Sequence, residues 1–331
     1  MTDKLAIIVG PTASGKTAVS VRVAQLLKAE IISGDSMQVY RGLDIGTAKI
    51  KPAEMGGVAH HLLDIRDPKE DFSVADFRIE AMAAISQITA RGHLPLIVGG
   101  TGLYIASLLN PYLFPPDTER DDDFRFRMQQ IAREQGDIYL HRRLAQIDSV
   151  AAERIHPHDH YRVVRALEVY EQTGRTISEI QAQSQNEHKT AYRTVIAGIT
   201  MRRELLYPRI EQRIELMLTA GLVEEVKKLL NAGTPISATA VRGLGYRHII
   251  AYLHGLCTYA EAITALKRDT RRFAKRQYTW FRRDTRIRWF DAEDYYGRGQ
   301  YPQTEVLAQD MAAWFKRELD VLPEVKEEIF F

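Results

Sequence analysis

The feature that most constrains this 331-residue chain is an octapeptide near its start, Gly10-Pro11-Thr12-Ala13-Ser14-Gly15-Lys16-Thr17. It satisfies the pattern G-x-x-x-x-G-K-[ST], and its surroundings are the ones that pattern needs. Leu5–Val9 before it is an unbroken apolar run, the mark of a strand buried on both faces. After it, Val19, Val23, Leu26 and Leu27 recur at helical spacing over Thr17–Lys28. Glycines let backbone N–H groups turn toward one oxyanion, and the helix start adds its positive end. Lys16 supplies a mobile cation, and the Thr17 hydroxyl is of the type that ligates Mg²⁺. A bound di- or triphosphate is expected here; NTP hydrolysis does not follow from the motif.

The first hundred residues continue the alternation. Glu30–Ser33 reads as a strand, His61–Ile65 as a candidate third, and Leu94–Val98 as another buried one. Val74–Arg91, with apolar Phe77, Met82, Ile85 and Ile88, reads as a helix, and a further helix starts at Leu103. That order predicts an α/β fold: a P-loop core with a mostly parallel sheet flanked by helices. From Pro115-Pro116 the character changes. Short amphipathic helices are expected over 123–135, 138–147, 160–172 and 176–184, before Thr194–Thr200 returns as a strand. The organisation expected is a core of residues 1–116 and 192–331 interrupted by an all-helical insertion, 117–191. After residue 200 the pattern is mostly helical.

Composition narrows the class. Hydrophobic residues make up 45% and charged residues 27%, enough apolar material for a sizeable core. The single cysteine, Cys257, excludes an internal disulfide and multi-cysteine zinc sites, and reads as a core residue. No apolar run approaches the ~18 residues of a membrane span, so a cytoplasmic protein without a membrane role is expected. The net charge of +2 hides one dense cluster: Lys267–Arg283 carries eight Lys or Arg against one Asp. On a helix, Arg268, Arg272, Lys275, Thr279 and Arg282 share one face, and Ala274, Tyr278 and Phe281 another. Such a face suits a phosphate backbone, with Gln277 and Trp280 offering base contacts or stacking. A solvated charged helix with an aromatic core side has the same pattern.

Two loops complete the candidate chemistry. Asp35 follows the second strand, at the sheet edge where ligands sit in parallel sheets. It suits a metal-holding carboxylate, a general base, or a turn cap. Gly99-Gly100-Thr101-Gly102 follows another strand, and a tight strand–helix turn explains it as well as a site does. His156, His158 and His160 are spaced by two, which suits neither a helix face nor a usual zinc pattern; Asp159 capping the next helix explains the stretch better. On these features alone a small-molecule P-loop kinase is the first alternative, and a tRNA-binding protein with a nucleotide switch the second.

Longer motifs resemble one family, the tRNA dimethylallyltransferases (tRNA isopentenyltransferases). They are GPTASGKT at 10–17, DSMQVYRGLDIGTAK at 35–49, HHLLDI at 60–65, PLIVGGTGLY at 95–104, YRVVRALEVY at 161–170, RIEQRIELMLTAGLVEEV at 209–226 and AKRQYTWFR at 274–282. The resemblance implies transfer of a dimethylallyl group from its diphosphate to the exocyclic amine of the adenosine 3′ of the tRNA anticodon. It implies that residues Gly10–Thr17 hold the diphosphate with Mg²⁺ at Thr17, that Lys16 and Arg213 stabilise the leaving group, and that Asp35 is the general base with Thr101 beside it. It further implies tRNA contacts at Asp35, Ser36, Met37, Gln38, Thr101, Asp123, Tyr161, Arg162, Arg165, Arg242, Gly245, Tyr246, Arg247, Lys275, Arg276, Gln277 and Trp280. The insertion becomes a mobile tRNA-gripping domain. The target base must leave its stack to react, with RNA and donor entering one tunnel from opposite ends. The partners implied are the tRNA anticodon stem-loop and dimethylallyl diphosphate; nothing in such a mechanism needs a dimer, so a monomer is expected. His158 and its neighbours depart locally from the family's shorter turn.

Overall fold

The computed structural model describes residues 3–109, 121–187, 192–295 and 303–320. Its core is one six-stranded sheet in the order β3-β2-β4-β1-β5-β6, with every neighbouring pair parallel. The strands are β1 (Asp3–Val9), β2 (Ala29–Ser33), β3 (His60–His61), β4 (Leu94–Gly99), β5 (Tyr192–Thr200) and β6 (Ile287–Asp291). Leu5 through Val9 are wholly buried, as an unbroken apolar run in a central strand demands.

Helices α1 (Lys16–Leu27), α2 (Val74–Ala90) and α3 (Gly102–Leu109) come from the first part of the chain. Ser73 and Asp76 close a capping box at the start of α2. Phe77, Ile85 and Ile88 of α2 are buried, but Met82 is exposed. Five residues beyond Phe77 lies about 140° round the helix, and Ala81 and Ala84 take the inner positions instead.

The chain divides into two compact units, one of residues 1–105 and 192–331, the other of residues 106–191. The expected boundary at 116/117, with Pro115-Pro116, lies outside the described residues. The second unit holds α4 (Asp122–Gln135), α5 (Asp137–Ile147), α6 (Ser149–Arg154), α7 (His160–Thr173) and α8 (Ile177–Glu187). Phe124, Met128, Leu140, Leu144, Val163 and Leu167 form its core. Asp121 caps α4 and Asp159 caps α7 through backbone N–H groups. The short α6 was not expected; its six residues are too few for a readable period.

The first unit resumes with α9 (Arg203–Thr219), α10 (Leu222–Asn231), α11 (Tyr246–Leu253), α12 (Tyr259–Phe281) and α13 (Thr304–Asp320). Three expectations need correction. The third strand is only His60–His61, because Leu62 and Asp64 adopt positive φ and leave the extended region. The C-terminal part includes a strand, β6, whose run IRWFD pairs with β5 at the sheet edge. Cys257 is half-buried rather than a core residue. No helix among the described residues is long and apolar enough to cross a membrane.

Candidate active site

The loops after β1, β2 and β4 emerge at the same edge of the sheet, because β2, β4 and β1 are consecutive parallel neighbours. The first is the loop Gly10–Thr17, expected to cradle phosphate. Its backbone is strained as the pattern requires: Gly10, Ala13 and Gly15 have φ of 149°, 65° and 92°. A Cβ on Gly10 would lie 2.6 Å from the Ile199 carbonyl oxygen, so only glycine fits. No side chain caps the start of α1, which leaves its first amides for an anion.

Lys16 Nζ donates to the carbonyls of Gly10 and Pro11 at 2.9 and 2.7 Å, folded back across the cradle. Burial, and then the nearby Arg213, push its pKa down to about 7, while Asp35 pulls the other way. Arg213, on α9, is likewise lowered by burial and opposed by Asp35. Its Nη2 donates to the Thr47 carbonyl at 3.4 Å. Two cations and one carboxylate therefore share one poorly solvated space.

Asp35 begins the second loop. Its Oδ1 accepts from the Met37 N–H at 2.9 Å, a local Asx turn that fixes the carboxylate. Thr101, in the third loop, accepts at its hydroxyl from the Ser36 N–H at 3.2 Å and donates its own N–H to the Gly34 carbonyl. Thus the GGTG turn is tied to the Asp35 loop from both sides. Gln38 donates to the Thr47 carbonyl and accepts from the Ser33 hydroxyl.

Two cavities meet at this constellation. One, about 100 Å³, includes Lys16, Thr17, Gln38, Ile31, Ile50 and Val98 in its wall. The other, about 320 Å³, includes Ser36, Met37, Thr101, Arg242, Arg247 and Arg276. Thr12, Asp35, Thr47, Arg213 and Phe273 line both. Asp35 and Arg213 thus stand on the wall between a phosphate-side space and a larger space edged by arginines.

The candidates differ in exposure, and several of them, Gly245, Tyr246, Arg247 and Arg276, also line the larger cavity. On α12, Arg268, Arg272, Lys275, Arg276 and Thr279 are exposed, as is Arg282 at its C-cap, while Ala274, Tyr278 and Phe281 are buried. The charge is less free than counted: Lys267 pairs with Glu215, Arg271 with Glu211, and Arg268 and Arg272 with Asp269. Trp280 is 38% exposed. Gln277, expected among exposed RNA contacts, is buried and bonded at both amide ends to backbone. Tyr246 is also wholly buried; its hydroxyl donates to Glu225 at 2.7 Å. Gly245, at φ 91°, is the backbone bend that starts α11. Arg247 is held by Asp269. In the helical unit Tyr161 is 70% exposed, with the Arg125 guanidinium 5.8 Å from its ring centre. Arg162 pairs with Asp159, Arg165 with the buried Glu168, and exposed Asp123 lies in the first turn of α4.

Sequence reasoning missed Arg209, whose Nε donates to the Ala13 carbonyl and which lines a concavity with Ser14, Lys16 and Arg213. It precedes Arg213 by four residues on one helix, so the spacing was a usable signal. Glu225 was also missed. It accepts from the amides of Asp44, Ile45 and Gly46, fixing the turn that presents the Thr47 carbonyl. An acidic residue on an amphipathic helix gives no such signal.

A parallel α/β sheet with an anion cradle, a fixed carboxylate and two buried-side cations at one edge defines a P-loop group-transfer class. Residues 38–284 match the family described as IPP transferase. Among curated relatives, the tRNA dimethylallyltransferase of Symbiobacterium thermophilum is 54% identical over 287 residues, covering 87% of this chain and 89% of that protein. That of Carboxydothermus hydrogenoformans is 53% identical over 292 residues, covering 88% and 93%. The crystal structure of the full-length tRNA isopentenylpyrophosphate transferase from Bacillus halodurans aligns with TM-score 0.70 and 43% identity, over 96% of this chain and 97% of that one. A eukaryotic dimethylallyltransferase captured acting on tRNA aligns with TM-score 0.74 and 28% identity, over 87% and 74%. The chain belongs to the IPP transferase family.

Proposed function

We propose that this protein transfers a dimethylallyl group from dimethylallyl diphosphate to the exocyclic amine of the adenosine 3′-adjacent to the tRNA anticodon, releasing diphosphate. The observation that carries the reading is the meeting of two cavities at Asp35 and Arg213. One space has a phosphate cradle and an apolar wall, as an allylic diphosphate needs. The other has arginines and a fixed carboxylate, as an RNA base needs. A small-metabolite kinase would also need an acceptor space, but it gives no use to the exposed basic face of α12.

In this mechanism the allylic carbon–oxygen bond breaks as the amine nitrogen bonds to the same carbon. Charge builds on the departing diphosphate, where the cradle amides, Lys16 and Arg213 stabilise it. The arylamine sheds its proton to Asp35, held in place by the Met37 amide. Thr101 fixes the Asp35 loop through Ser36 and bounds the base-side space. Thr17 and Asp35 line one cavity, and a hydroxyl and a carboxylate are hard oxygen donors that suit Mg²⁺. Thr17 would hold the ion together with diphosphate oxygens, and the ion would neutralise charge on the leaving group. Exposed Lys275, Arg276, Arg242 and Trp280 serve the anticodon stem-loop, as do Tyr161 and Arg162 of the helical unit. A tRNA substrate implies a cytoplasmic site of action, and the mechanism is complete in one copy of the chain.

The test incubates the protein with labelled dimethylallyl diphosphate, Mg²⁺ and unmodified tRNA bearing adenosine 3′ of the anticodon. Label incorporated at that adenosine is expected. No label in tRNA, with brisk ATP hydrolysis in its place, overturns the reading in favour of a kinase or NTPase.

A further inference from the structure

The buried amide of Gln277 has a use that surface recognition does not explain. Its Oε1 accepts from the Thr12 N–H of the phosphate cradle at 2.8 Å. Its Nε2 donates to the Gly100 carbonyl of the GGTG loop at 2.9 Å. The side chain is 6% exposed; the bond to Gly100 is fully buried and the bond from Thr12 partly so, which limits competition from water. The glycines of that loop are shaped for the helix that carries it. A Cβ on Gly100 would overlap Gln277 Nε2, and a Cβ on Gly102 would overlap the indole of Trp280. Gln277 and Trp280 are three residues apart and share a face of α12. Between the two glycines sits Thr101, whose hydroxyl holds the Ser36 amide beside Asp35.

We propose that Gln277 is a positioning residue for the diphosphate cradle: one amide that locks the P-loop backbone to the loop presenting Thr101. Thr12 spends its N–H on this clamp rather than on an anion. The cradle's shape therefore depends on a helix far along the chain, 265 residues away in sequence. The clamp face of α12 is opposite in character to its solvent face, where Lys275 and Arg276, the two residues just before Gln277, stand exposed. Losing the amide leaves a partly buried N–H and a buried carbonyl without this partner, and both belong to loops that line the donor space. The clamp itself rests only on geometry; its contrast with RNA binding rests on the function proposed above.

The test uses Gln277→Met, which keeps the length and apolar stem but removes both hydrogen-bonding ends. Gln277→Glu is the second variant; it keeps the acceptor for Thr12 and sets a carboxylate against the Gly100 carbonyl. Binding of inorganic diphosphate with Mg²⁺ and binding of an anticodon stem-loop RNA are measured separately, with melting temperature recorded for each protein. Positioning predicts diphosphate affinity weakened about tenfold in both variants, with RNA affinity held within about twofold. Weakened RNA binding with unchanged diphosphate binding overturns the proposal and makes Gln277 a base contact. A lowered melting temperature with both affinities unchanged overturns it too, leaving only a structural bond. Equal loss of both affinities also overturns it. If the unmodified protein itself fails to bind RNA, the functional reading falls, while the diphosphate comparison still decides the clamp.

Discussion

Lys16 carries the most informative chemistry of any single residue. Burial pushes its pKa down to about 7, so in the anion-free cradle the ammonium loses its proton readily around neutral pH. A bound diphosphate favours the charged form and raises that pKa, so binding takes up a proton. The sign is definite: the contribution of Lys16 to affinity is complete well below pH 7 and weakens by up to about tenfold per pH unit above it, until the bound-state pKa is reached. Calorimetry of diphosphate binding at pH 8, in buffers of different ionisation heat, should show proton uptake that Lys16→Ala abolishes. Uptake that survives the substitution would assign the titration elsewhere. At Asp35 the expectation is a split. Asp35→Ala should cut turnover by about 10²–10⁴-fold, the usual value of a general base, while stem-loop binding persists. Collapse of binding instead would make Asp35 a recognition group.

At the scale of elements, the working parts are turns held by distant helices. Glu225 on α10 accepts three consecutive amides from 44–46 and the hydroxyl of Tyr246. Gly46 is packed so closely on Tyr246 that a Cβ would lie 2.6 Å from its ring. Glu225→Ala strands these donors and should cost about 3 kcal/mol in urea unfolding. A loss under about 1 kcal/mol would mean that water replaces the carboxylate. The basic helix α12 also divides. Its N-terminal cations are engaged by Glu211, Glu215 and Asp269, whereas Lys275 and Arg276 stand exposed beyond them. Lys275→Ala should therefore weaken stem-loop binding and lower the salt slope by about 0.7–0.9, whereas Lys267→Ala should leave the slope unchanged. Equal slopes in the two variants would show that the exposed half of the helix is not the part that meets phosphate.

For the molecule as a whole, each unit has its own core, and the helical one is built round a wholly buried carboxylate. Glu168, wholly buried, is bonded by Arg125, Arg165 and the Asp121 amide. Burial alone would raise its pKa, but these hydrogen bonds overcome that and hold the carboxyl below the usual range. Its contribution to stability is intact above the ordinary carboxylate pKa of about 4.3 and is lost as pH falls through the lower folded value. Acid should unfold the helical unit over that window, and Glu168→Gln should destabilise it at neutral pH while flattening the acid dependence, followed by circular dichroism. An unchanged acid transition would remove Glu168 from its cause. The core's alternating strands and helices, the P-loop and the Asp159 cap were legible in the sequence because each is a local pattern. Strand β6, helix α6 and the truncated β3 were not. The first two carry too few residues to set a period, and the third is cut short by positive-φ residues whose conformation depends on their surroundings.

The sequence by itself determined the P-loop between β1 and α1, the parallel α/β core, the helical insertion and the basic face of α12. Each follows from spacing along a few turns or one strand, where backbone geometry repeats. Only the tertiary structure decided which polar groups are available. Gln277 and Tyr246 look like surface contacts in the chain, yet both are buried and spent on backbone or on Glu225. Arg209 looks incidental, yet it braces the cradle. The reason is physical: a polar side chain's role is set by what it is buried against, and those partners lie far away in sequence. Solvent exposure and hydrogen-bond satisfaction are properties of the packed molecule, and no local pattern encodes them.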